Sequence, residues 1–209
     1  QPIPDDDDEV AIVGYRNRMR AAGRARAAAR AQANQAFRDA VAPARQALVA
    51  ALAAATSGPQ RRAAKIAYGD AILPAKVARK AALQSARIDY VEAAEQARID
   101  FLTIRGAHPE VVASARYRQA VNLATAEYRA AVTDAQATFR IQSAPIRITT
   151  RTAGSSASAG QVSHGAAESI RIATADITGV FRSQVSSARA TYQAKISVAR
   201  QILGSSLAT

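Results

Sequence analysis

Cysteine and tryptophan are absent from the 209 residues, and methionine occurs once. Without cysteine the chain has no disulfide, no thiolate metal site and no cysteine nucleophile, and its redox compartment stays open. Aromatic residues make up 5%. A core with so few rings buries little area per residue, so its helices must approach closely and run far. No stretch approaches the 18 uninterrupted apolar residues of a membrane-spanning helix. Histidine occurs twice, at His108 and His164, both in expected turns and too isolated to form a metal site. His108, beside Pro109, reads as a capping residue and His164 as linker.

The acids Asp89, Glu92, Glu95 and Asp100 mark a solvated helix face rather than a catalytic cleft. The glycine-containing stretch AGSSASAG lacks the lysine and the strand–turn–helix context of a phosphate loop. No catalytic residue, metal ligand or cofactor is expected, and the chain reads as non-enzymatic.

What the chain has in abundance is alanine and arginine, both strong helix formers. Only four of the 28 basic residues are lysine. Alanines recur every eleven residues, at Ala11, Ala22, Ala33 and Ala44, then at Ala64, Ala75, Ala86 and Ala97. Four residues after each stands a larger side chain: Tyr15, Arg26, Phe37 and Leu48 in the first series, Tyr68, Arg79, Tyr90 and Phe101 in the second. Tyr117, Tyr128 and Phe139 follow Ala113, Ala124 and Ala135 in the same way. Phe181, Tyr192 and Leu203 follow Ile177, Ala188 and Ala199. All ten aromatics of the chain fall on these series. Apolar positions stepping by four, three and four define an eleven-residue repeat over three turns. Such a seam keeps to one face of helices that are nearly straight or supercoil gently right-handed.

The expected architecture is all-α: an elongated antiparallel bundle of about four long alanine-rich helices. An acidic extended arm covers 1–8, with Asp8 as N-cap. The helices cover about 9–57, 60–104, 109–142 and 165–204, followed by a tail at 205–209. Gly58-Pro59 and Gly204 are read as helix stops, Pro109 as a helix start. Pro43 should bend the first helix, and Gly69 and Pro74 should weaken the second. Residues 143–164 form a linker whose alternating portion, 146–152, has the pattern of a short strand.

Charge gives the functional expectation. The acids Asp5, Asp6, Asp7, Asp8 and Glu9 open the chain, and the remainder holds 28 basic and 11 acidic residues. Arg16, Arg18, Arg20, Arg24, Arg26 and Arg30 crowd the first helix, and Arg61 and Arg62 open the second. The acidic run is expected to dock on such an arginine-rich surface of another copy, a contact that salt weakens. The chain is therefore read as a structural protein that self-assembles into, or decorates, a fibre, layer or large complex. A start at Gln1 implies processing and a secreted or surface location, with a virion as the alternative. Two other readings stand beside it. One is a basic protein that packages nucleic acid or another anionic polymer. The other is a stress or lipid-coat protein of the kind built on eleven-residue repeats.

Overall fold

The computed structural model describes residues 6–156 and 164–208, with side chains for 8–146 and 168–208. The described residues form five α-helices: α1 (Asp6–Ala54), α2 (Gly58–Ala71), α3 (Leu73–Ile104), α4 (Pro109–Ser156) and α5 (His164–Leu207). The protein is an all-α antiparallel helical bundle. No described helix is long and apolar enough to cross a membrane.

Local chemistry sets the boundaries. Ser57, in an extended conformation, caps α2: its hydroxyl accepts from the Gln60 N–H, and the Gln60 side chain accepts from the Ser57 N–H. Gly58-Pro59 therefore starts a helix instead of ending one, because a proline in the first turn sacrifices no intrahelical hydrogen bond. Between α2 and α3 only Ile72 leaves the helix. Pro74 has no N–H to give the Asp70 carbonyl, and the Ile72 N–H reaches back to Asp70 and Tyr68 in its place. Gly106 ends α3 with a positive φ of 62°, which lets the Ala107 N–H bond the Leu102 carbonyl at 2.9 Å. His108 then takes the cap position of α4, where its carbonyl accepts from the Val111 and Val112 N–H groups.

Four expected boundaries are corrected. Helix α1 begins before Asp8, so Asp8 lies within the first turns and is not the cap. Residues 146–152 are helical, continuing α4 through Pro145 to Ser156; a lone strand here would have no pairing partner for its backbone, whereas the helix satisfies its own. His164 begins α5 instead of belonging to a linker, and Gly204 lies inside α5, which runs to Leu207. The linker expected at 143–164 shrinks accordingly, and residues 157–163 lie outside the described residues. Asp5 and the extended arm before it lie outside them as well.

The chain divides into two compact units. The first comprises Gln1–Asn34, Ala81–Ala130 and Ala188–Thr209; the second comprises Gln35–Lys80 and Ala131–Ser187. In the first unit α1 buries Ala11, Ala22 and Ala33, and α5 buries Ala199. The middle helices bury two stripes each. On α3, Ala86 and Ala97 are joined by Ile99, and on α4, Ala124 is joined by Ala115 and Ala126. Two residues turn a helix by about 200°, so these stripes lie on opposite faces. Helices α3 and α4 are therefore inner helices of this unit. Polar pairs link the helices of this unit: Arg18–Asp100 joins α1 to α3, Gln119–Gln96 joins α4 to α3, and Lys195–Glu127 joins α5 to α4.

The second unit repeats the pattern. Ala135 and Ala137 place two buried stripes on α4, and Ile72 is buried at the α2–α3 break. Of the thirteen buried apolar residues described, eleven are alanine; the aromatic and leucine seam residues are half-buried, and Arg26 and Arg79 are exposed.

Candidate functional site

The seam residues meet across the helices in an antiparallel ladder. In the first unit Tyr15 of α1 faces Phe101 of α3, with ring centroids 5.3 Å apart. Eleven residues forward on α1 and eleven back on α3, Arg26 lies over Tyr90 at 4.9 Å. On the α4–α5 side Tyr128 meets Tyr192 at 5.5 Å. In the second unit Phe37 is covered by Arg79 at 5.2 Å, and Phe139 meets Phe181 at 5.5 Å. Leu48, Tyr68, Tyr117 and Leu203 are half-buried at the corresponding rungs. Spacing in the sequence located every one of these residues. The rings themselves are half-buried and not sealed between the helices.

Arg26 and Arg79 occupy aromatic positions in their series, and the structure shows why this is tolerated. Each lays its planar guanidinium on a ring of the facing helix, the cation meeting the negative face of the π-system while its stem covers apolar surface. Aromatic and arginine are thus interleaved, an arrangement that linear spacing alone does not disclose.

The expected assembly residues part company. Asp8 is engaged within the chain: Arg105 grips its carboxylate with two hydrogen bonds of 2.7 and 3.0 Å and also lies over Phe101 at 5.6 Å. Glu9 is exposed. The backbone of Asp6 and Asp7 is helical. Arg18 is taken by Asp100 and Arg26 by Tyr90. Arg16, Arg20, Arg24 and Arg30 are exposed on α1, as Arg61 and Arg62 are on α2. The acidic run does not stand apart as a free arm from Asp8 onward.

Two acids read as solvated have partners. Asp100 binds Arg18 and Gln96, and Glu95 accepts from Asn122 at 2.6 Å while its other carboxylate oxygen is buried without a hydrogen bond. Asn122 lies between the repeat positions Tyr117 and Ala124 without belonging to the series, and nothing in the linear chain signals that it will cross to α3.

At the end of the first unit a groove of about 710 Å³ opens among α1, α3, α4 and α5. Ile99, Ile104, Ala113, Tyr117, Ile202 and Leu203 supply its apolar lining, and Arg18, Asp100 and Arg116 stand at its polar margin. Among the described residues no group of three or more His, Asp or Glu side chains is placed to hold a metal ion. No protein-family model, curated protein or solved structure matches the chain.

Proposed function

We propose that this protein is a non-enzymatic structural component that assembles with copies of itself into a fibre, layer or larger complex at the cell surface or beyond it. One observation carries the reading. Eleven large aliphatic side chains are among the exposed residues, Val10 at 67% and Val49 at 63% foremost. An alanine core contributes little apolar burial per residue, roughly one methyl group each. Such a chain gains stability by covering surface against a partner.

Size-exclusion chromatography with light scattering, followed by negative-stain electron microscopy over a range of concentration and salt, tests the proposal. Concentration-dependent growth into regular particles is expected. A chain that stays monomeric under every condition overturns it. Immunogold labelling of intact cells tests the surface location, which fails if label appears only after permeabilisation.

A second reading, packaging of nucleic acid, draws support from the second unit. From Gln35 to Lys80 eight residues are basic and only Asp39 and Asp70 are acidic, and Arg61, Arg62, Lys65, Lys76 and Lys80 are all exposed. Phosphate binding by such a surface is steeply salt-dependent. Fluorescence anisotropy with labelled DNA and RNA at about 0.05 and 0.2 M salt separates it from self-assembly.

A further inference from the structure

We propose that one end of the first unit, built from the start of α1, the end of α3, the start of α4 and the end of α5, is the surface on which a second copy of this chain docks. The inference rests on the self-assembly reading and names the contact that reading requires.

Six of the seven exposed large aliphatic residues described in this unit lie toward that end; the seventh, Val198, stands a turn further back on α5. Val10 and Val13 stand on α1, Ile104 on α3, Val111 on α4, and Ile202 and Leu207 on α5, each 47–67% exposed. The ladder puts most of them at one level. Tyr15 facing Phe101 brings Val13 level with the last turn of α3, where Ile104 stands. The Gln119–Gln96 bond brings Val111 to that same turn, and Tyr128 facing Tyr192 sets Leu207 beside the start of α4. Side chains from four helices thus converge within about one to two turns, roughly 5–10 Å of helix rise. Aliphatic residues scattered singly over a surface mean little, whereas a convergent group marks a contact.

The shape of this end is both knob and hole. Val10 is the most exposed of the described large aliphatic side chains, and the 710 Å³ groove lies on the same end of the same unit. Its Ile104, Ile202 and Leu203 walls match a branched aliphatic side chain in chemistry. A twofold arrangement seats Val10 and Val13 of each copy in the groove of the other, which is what an isologous contact demands. The knob is held ready: the Asp8–Arg105 pair ties the first turns of α1 to the end of α3, where a free helix end would fray.

Charge selects the occupant. Exposed Glu9 and Glu110 share this end with exposed Arg16 and Arg116. A surface bearing both signs beside an apolar centre complements a copy of itself. A polyanion would meet Glu9 and Glu110 beside Arg16 and Arg116, around a patch of aliphatic carbon that offers phosphate no donor.

Sedimentation velocity on the full chain tests the proposal with three single variants: Val10→Asp, Ile202→Asp and, as a control in the second unit, Val49→Asp. All three positions are exposed, and circular dichroism checks that each variant retains its helicity. The two variants at the docking end should weaken self-association by about tenfold or more, and Val49→Asp should leave it unchanged. Association of the wild type should persist at about 1 M salt, where screening removes charge pairing beyond 3 Å. Three results overturn the docking end while sparing the self-assembly reading: unchanged association of both end variants, equal weakening by Val49→Asp, or dissociation of the wild type in high salt. A wild type that is monomeric throughout overturns both.

Discussion

The guanidinium of Arg26 lies 4.9 Å above the centre of the Tyr90 ring, and in the second unit Arg79 covers Phe37 in the same manner from the opposite strand of the ladder. The two pairs are reciprocal: arginine belongs to α1 in one and to α3 in the other. An arginine where the repeat calls for a ring therefore supplies a flat, weakly hydrated group that fills the same space, with a charged edge left in water.

A double-mutant cycle on Arg26→Ala and Tyr90→Ala should give a coupling of about 0.5–1 kcal/mol, the range for an exposed cation–π pair. Tyr90→Ala alone should cost about 2 kcal/mol, below the loss for a sealed ring because Tyr90 is half-buried. Urea denaturation measures both. Strict additivity would show that the contact contributes nothing.

Alanine on the inner helices sets how closely they approach. Ala97→Leu and Ala124→Leu, at positions only 2% exposed, should each destabilise by about 1–3 kcal/mol through overpacking. Ala25→Leu on the exposed face of α1 should change the urea midpoint little. Equal tolerance at all three positions would mean that alanine is there for helix propensity and not for close packing.

Glycines separate into two kinds. Gly106→Ala should cost about 1 kcal/mol, because its φ of 62° strains any L side chain even though the space around it is open. Gly14→Ala and Gly23→Ala, inside α1 with nothing near the added methyl, should each raise stability by about 0.5–1 kcal/mol. Thermal melts of the three variants give the signs directly.

Loss of the Ser57 hydroxyl in Ser57→Ala removes one half of the α2 capping box and should cost about 1 kcal/mol. Amide exchange should speed up first at the N-terminal turn of α2, and a uniform change along the chain would contradict a local capping role.

The Arg171 hydrogen bond holds the Glu168 carboxyl below its ordinary value of 4.5. A carboxylate lowered in the folded state stabilises α5 above the unfolded value, and the contribution disappears as acidification passes the lowered one. Protection of amides in the first turns of α5 should therefore fall on acidification through this range in the wild type. Glu168→Gln should flatten that dependence, as should high salt, since the pair is fully exposed.

Much of the fold was already legible in linear spacing. Eleven residues make just over three helical turns, so any residue type repeated at that interval must share a face. The positions of the ring ladder followed from this geometry before any contact was known. Capping chemistry was legible only in part. Gly58-Pro59 and Gly204 carry the composition of helix stops, yet a proline also fits a first turn and an exposed glycine is tolerated within a long helix.

Tertiary structure decided the partners. Periodicity assigns a residue to a face but cannot say which helix lies against it, because a repeat common to all helices admits many registers. Bringing chain neighbours together in antiparallel order set Tyr15 on Phe101, Arg26 on Tyr90 and Asp8 on Arg105. It made α3 and α4 the inner helices of the first unit, and it exposed a second stripe, Ile66, Val77, Ile88 and Ile99, that obeys the same interval in the sequence. Only Ile99 of that stripe is buried in full, because burial depends on the distance to a neighbour, a quantity that no spacing along one chain contains.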